Sequence, residues 1–358
     1  MADTLHVATR KGLFTFRRKG SGWTQSGKPA FIGEPVSAVL TDPHDGALYA
    51  ALNLGHFGVK LHRSDNGGKK WQEVAPPAFP KKTATKKEKP SVGVIWSLAT
   101  GVPGTIYAGT TPGGLFRSTN KGEKWALVES LWNVPQRAKW FGGGFESPGI
   151  HTILADPRDP RKLTIGISCG GVWKSPDNGK TWNQAGQGLR QDYVPPALAY
   201  DPTSQDVHRL AVPAADPDTV WCQHHNGMFF STDGGENFKE FRKVKPSVFG
   251  FAVAAHPKDP KTAWFVPAIK DECRVPVDGK LTVTRTTDGG KTFKSFGRGL
   301  PQRNSYDLIY RHGLDVDETG RRLAIGSTTG NLWTSANGGE SWTNASTHLP
   351  PIAQVAFA

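Results

Sequence analysis

Cysteine is scarce in this 358-residue chain, and the three present, Cys169, Cys222 and Cys273, are odd in number and far apart. They offer neither a disulfide framework nor a CxxC metal knuckle. No stretch reaches the roughly 20 consecutive apolar residues that a membrane-spanning helix needs. The opening Met-Ala-Asp-Thr-Leu-His-Val lacks the basic and apolar regions of a secretory leader. A soluble cytoplasmic protein with no membrane partner is therefore expected. Acidic residues are also in deficit, 31 against 44 Lys and Arg, which leaves a net charge of +13. That excess favours anionic partners. Helix-turn-helix, RNP, KH and zinc-finger signatures are absent, so no specific nucleic-acid partner is expected.

What the chain has in abundance is glycine (42), tryptophan (12) and a recurring box. Ser175-Pro-Asp-Asn-Gly-Lys-Thr-Trp182 has counterparts ending at Trp71, Trp125, Phe238, Phe293 and Trp342, with a worn copy ending at Trp23. A near-constant spacing between these aromatics marks an array of similar supersecondary units. Asp or Asn followed by Gly-Gly or Asn-Gly is hairpin-turn chemistry, because Gly accepts positive φ and the Asp/Asn side chain bonds nearby amides. A short apolar run precedes each box and the aromatic follows it. Each box thus joins two antiparallel strands.

The boxes resemble the Asp-box, or BNR, repeat of sialidase-like β-propellers. Thr9-Arg-Lys-Gly-Leu-Phe14, Val207-His-Arg-Leu210, His225-Asn-Gly227, Phe249-Gly-Phe251 and Arg285-Thr-Thr-Asp-Gly-Gly290 extend the likeness to an intracellular bacterial, glycosyl-hydrolase-like branch. The resemblance implies one domain over 1–358, an all-β propeller of seven four-stranded antiparallel blades. Six units read as complete: Val36 to Val74, Val94 to Val128, Ile150 to Trp182 onward, Val207 to Phe241, Phe249 to Phe296 and Ile309 to Asn344. The N-terminus supplies three strands, and Ile352 to Phe357 supplies the missing innermost one, closing the first blade.

Alternation of strand direction puts the boxes on one face, with structural roles for their Ser and Asp. The opposite face collects the turns Thr9–Gly12, Gly55–Gly58, Ser168–Gly171 and Gln223–Gly227 and the excursion Lys270–Pro276. It also takes two long loops, Pro76–Ser91 with Lys81, Lys82, Lys86, Lys87 and Lys89, and Leu131–Ser147 with Trp140. Aligning the innermost strands gives one axial position: Ser37, Trp96, His151, His208, Phe251, His312 and Gln354. His151, His208 and His225 are the candidate proton-transfer groups. His151, His208 and His312 are the alternative, a zinc-like divalent site, although no HxH or HExxH spacing supports it. No other cofactor is expected.

Arg10, Arg274 and Arg311 fall on the same face and suit a carboxylate, since guanidinium forks pair with it bidentately. With Trp96, Trp140 and His312 they form the candidate substrate-binding set. Sialidases hold a substrate carboxylate with three arginines and use a tyrosine–glutamate nucleophile. Here the nearest match to their Arg-Ile-Pro is Arg274-Val-Pro276, and no tyrosine–glutamate pair is assignable, so a strict sialidase is not expected. The reading leans to a hydrolase or lyase acting on a small acidic or polyhydroxylated, sugar-acid-like ligand. The alternative is a non-catalytic binding or assembly propeller whose basic face holds an acidic protein.

Overall fold

Each box folds in the same way in the computed structural model, which describes residues 2–20, 22–83, 89–143 and 145–358. In Ser231–Phe238 the N–H groups of Asp233 and Gly235 donate to Ser231 Oγ at 3.3 and 3.0 Å, and Asn237 N–H donates to Asp233 Oδ1 at 2.9 Å. The bond into the hydroxyl recurs at Gly68, Gly122, Gly179, Gly290 and Gly339, between 2.8 and 3.0 Å. The two central turn residues take positive φ (+71° and +86° at Gly234 and Gly235), which is why Gly-Gly recurs there. Replacing Ser231 with Ala orphans a buried N–H, and about 1–2 kcal/mol of stability should be lost in urea unfolding. A change below about 0.5 kcal/mol would mean that the box is only surface decoration.

The boxes are anchored from two sides. Their backbone bonds the turn between the first two strands of the same blade: Asn178 N–H donates to Arg161 O at 2.7 Å and Gly338 N–H to Arg321 O at 2.9 Å. A second-strand aromatic of the preceding blade also reaches across. Tyr49 donates to Lys121 O at 3.1 Å, Trp264 Nε1–H to Gly338 O at 2.8 Å, and the Tyr107 hydroxyl to Asn178 Oδ1. The box residues are thus occupied in turning the chain and in joining blade to blade.

Seven four-stranded antiparallel sheets result, a seven-bladed β-propeller. Among the described residues no helix is long and apolar enough to cross a membrane. The sequence reads as one domain, and contacts gather the chain into two compact units. The first, Met1–Ile32 with Gly186–Asp201 and Val207–Ala358, holds blades 1, 5, 6 and 7. The second, Gly33–Ala185 with Pro202–Asp206, holds blades 2, 3 and 4. In the first unit Trp264, Leu323, Ile325 and Trp333 build one core and Trp221, Met228 and Phe265 another. In the second, Tyr49, Ile106 and Phe116 build one core, and Tyr107, Ile165 and Trp173 another.

Blade 1 is closed as expected. Ile352–Phe357 lies innermost, antiparallel to Thr4–Thr9, with Val7 opposite Val355. Blade 7 differs from expectation. Its inner strand is only Leu314–Val316 and does not begin at Ile309, because Gly313 N–H bonds back to Tyr310 O at 2.8 Å and makes a turn there. Arg311 and His312 therefore precede the strand, in the turn.

Two groups of this unit respond to acid with opposite signs. Burial beside Arg17 holds His6 neutral, its pKa pushed down to about 4, with Nδ1 3.2 Å from Thr15 Oγ1. The unfolded chain takes up that proton below its ordinary value of about 6.5. The His6 contribution is therefore complete above 6.5 and is lost as pH falls towards 4, on the order of 3 kcal/mol. Asp315 has the opposite sign. Burial raises its carboxyl to about 6 against hydrogen bonds from the N–H groups of Phe357 and Val316, so its ionisation destabilises the fold as pH rises from about 4 to 6. A His6→Gln variant should lose less stability than the parent between pH 6.5 and 4. An unchanged slope in urea unfolding would remove His6 from the account.

Candidate functional site

Five of the seven residues aligned in the innermost strands share a device that the sequence conceals. Pairing steps from Val36–Leu52 to Ala38–Ala51, so Ser37 is an extra residue, a β-bulge in the innermost strand of blade 2. Trp96, His151 and His208 are skipped in the same way in blades 3, 4 and 5. Blade 6 has its register shift across Phe251 and Ala252. In the closing strand the shift falls between Ile352 and Gln354. A bulge re-aims its side chain out of strict alternation, which is how these residues leave the core pattern.

Within the first unit the expected residues converge on Phe251. His208 stacks on it, with ring centroids 4.4 Å apart and 11° between planes. The guanidinium carbons of Arg274 and Arg311 lie 5.3 and 5.4 Å from its centroid, and the Tyr310 ring lies 5.1 Å away. His225 meets His208 edge-on at 5.5 Å and Tyr193 at 4.9 Å. His208 Nδ1 is 2.7 Å from Gly250 O. A carbonyl only accepts, so Nδ1 carries the proton and the lone pair of the neutral ring sits on Nε2.

Accessibility divides the labour. His208, Phe251 and Arg311 are buried, whereas His225, Arg274 and Tyr310 are half-exposed and Tyr193 is exposed. His225 is therefore the imidazole a solute meets, with His208 behind it. Arg274 is the guanidinium a solute meets. Its Nη2–H donates to Asp271 Oδ1 at 2.6 Å and its Nε–H to Asp271 O at 3.0 Å, which fixes the fork. In the same strand as His208, desolvation lowers the Arg209 guanidinium to about 10, partly offset by Asp315 and reinforced by Arg311. As possible metal ligands, His208 and His225 offer nitrogens within 4.8 Å of one another.

The remaining expected residues sit elsewhere. His312 is buried at the junction with the closing strand, its carbonyl accepting Val355 N–H. Arg10 is on the exposed turn of blade 1, its N–H donating to Pro351 O. In the second unit Trp96 packs edge-on against His151 at 5.5 Å and Phe145 at 4.9 Å. His151 is fully buried with Nδ1 2.9 Å from Thr152 Oγ1, so it supports Trp96 and does not meet solvent. Trp140, expected on a ligand-facing loop, packs into the core of blade 4 against Trp173 at 5.8 Å. An aromatic in a long loop buries its apolar area where a core is within reach. Lys86 and Lys87 lie outside the described residues. Phe251 and Tyr193 acquire their roles only through contacts distant in sequence.

No known protein family's model matches the chain. A xyloglucanase from Acetivibrio thermocellus is 27% identical over 144 residues, which cover 36% of this chain and 16% of that enzyme. The solved GH74 xyloglucanase of Xanthomonas campestris superposes with a TM-score of 0.66 at 17% identity, over 96% of this chain and 53% of that one. YCF48 bound to D1 peptide superposes with a TM-score of 0.52 at 13% identity, over 86% and 80%. The likeness is one of fold. The chain spans only part of the length of both xyloglucanases.

Proposed function

We propose that the chain is a hydrolase or lyase, glycosyl-hydrolase-like in kind, acting on a small acidic or polyhydroxylated, sugar-acid-like substrate. Its recurring boxes support a place among the Asp-box propellers. The observation that carries the activity is the group around Phe251, where a half-exposed imidazole lies edge-on to a buried one and a half-exposed guanidinium, fixed by Asp271, shares the Phe251 ring with a buried one. Arg274, fixed by Asp271, anchors the substrate carboxylate. His225 moves the proton, and the Nε2 lone pair of His208 suits it to accept or relay that proton. A zinc-like divalent ion held by His208 and His225 would polarise a bound water or carbonyl instead.

The test is a thermal-shift screen of sugar acids, neutral sugars, small dicarboxylates and divalent metals, followed by turnover of whichever class binds. His225→Gln should lower kcat/KM by about 10²–10⁴-fold with an unchanged melting temperature, and Arg274→Ala should abolish the ligand shift. Full turnover by His225→Gln would sink the reading. The net charge of +13 and the peptide held by YCF48, a propeller of the same fold, favour a second one, in which the chain binds an acidic protein. That reading expects a flat small-molecule screen and a partner released by salt.

A further inference from the structure

On the box face of the first unit, between blades 7 and 1, lies a cavity of about 220 Å³ that the proposed activity does not use. Arg18, Arg321, Arg322, Trp23, Thr334 and Thr343 contribute to its wall. Three guanidiniums on one small cavity repel one another unless anions answer them. Arg18 Nε lies 2.7 Å from Asp3 Oδ1. Arg322, almost fully buried, lies 3.6 Å from Asp3 Oδ1 and 3.9 Å from Asp317 Oδ2, and donates to Ala2 O at 2.8 Å. Arg321 has no carboxylate partner among the described residues and is exposed. Asp317 sits behind the wall, fully buried, whereas the Asp3 side chain is 62% exposed. One cation is unanswered while Asp3 is in place, and two when it is not.

We propose that this cavity binds a phosphate dianion, free or as the head of a phosphomonoester. Guanidinium forks match phosphate oxygens, and several forks converging on one space suit a tetrahedral anion better than a single flat carboxylate. Size limits the ligand, because pockets for whole small molecules run to about 300–1,000 Å³. The cavity takes the phosphate group and leaves any attached sugar outside. Asp3 stands in for part of that anion: it meets Arg18 and Arg322 and leaves Arg321 for the second negative charge. The Trp23 ring and the Thr334 and Thr343 hydroxyls complete the wall.

The test is calorimetric titration of the full chain with inorganic phosphate and, separately, with a hexose monophosphate. Chloride at matched ionic strength is the blank. Binding is expected with at least one of the two, and the tighter one identifies the source of the phosphate. Arg321→Glu should weaken it at least about tenfold, and Asp3→Asn should tighten it several-fold by removing the stand-in. Both positions are exposed, and circular dichroism checks that the variants fold. Arg274→Ala should leave the inorganic phosphate titration unchanged, which separates this cavity from the site around Phe251. No binding beyond the chloride blank would overturn the proposal. So would loss of binding in Arg274→Ala with none in Arg321→Glu, which would place the anion on the opposite face.

Discussion

A chain lacking residues 352–358 is expected to accumulate as aggregate, with little folded monomer. The deleted strand pairs with Thr4–Thr9 along its length and buries Ile352 and Val355, which pack with Leu5, Val7 and Phe16. Each lost apolar side chain of this kind costs about 2–5 kcal/mol, a large share of the 5–15 kcal/mol by which folded domains are stable. Deletion also bares the unpaired edge of Thr4–Thr9, a template for pairing with other chains. Asp315 loses the Phe357 N–H that it accepts at 2.8 Å. Size-exclusion chromatography after expression at low temperature checks the outcome. A soluble, monomeric truncated protein with an unchanged melting temperature would show that the strand is dispensable. Adding residues 352–358 as a separate peptide should restore part of the lost stability.

Gly330→Ala should be the most damaging single-atom-scale change in the same unit. Gly330 has φ +89°, and a Cβ built there would stand 1.8 Å from Leu349 O, far inside contact distance. Backbone, not a flexible side chain, occupies that space, so relief requires moving the approach to the closing strand. Left-handed strain and overpacking each cost about 1–3 kcal/mol, and a combined loss of about 3 kcal/mol or more is expected in urea unfolding. Gly67 provides the contrast: its φ is +69°, with nothing within 4 Å of a built Cβ, and Gly67→Ala should lose only about 1 kcal/mol. Equal losses at the two positions would show that backbone conformation alone matters and that the contact with Leu349 is irrelevant.

Much of the fold was legible because its determinants are local. Ser231, Asp233 and Gly235 interact within five residues, so their spacing alone carries the turn, and repetition of the turn carries the blade count. The closing strand could be read from a deficit, three strands at one end and one at the other. The site was legible only in part. His208, Arg274 and Arg311 could be assigned to one face because strand direction dictates the face. That they meet on Phe251 depends on packing between blades 5, 6 and 7, which leaves no local trace. The turn that removes Arg311 and His312 from the blade 7 strand hinges on one bond at Gly313. Trp140 misleads for a related reason, since a long loop can fold back into a core and its sequence reads the same either way.

The extra residue in the innermost strands carries a consequence for how this protein can change. A bulged residue leaves the sheet without taking a place in the alternation, so the residues on either side of it keep their faces. Its side chain is therefore uncoupled from the buried set. Serine, tryptophan, histidine and phenylalanine occupy such positions here over strands that otherwise keep their alternation. The chemistry carried by these side chains can therefore be re-equipped one residue at a time, while the packing within each blade stays as it is.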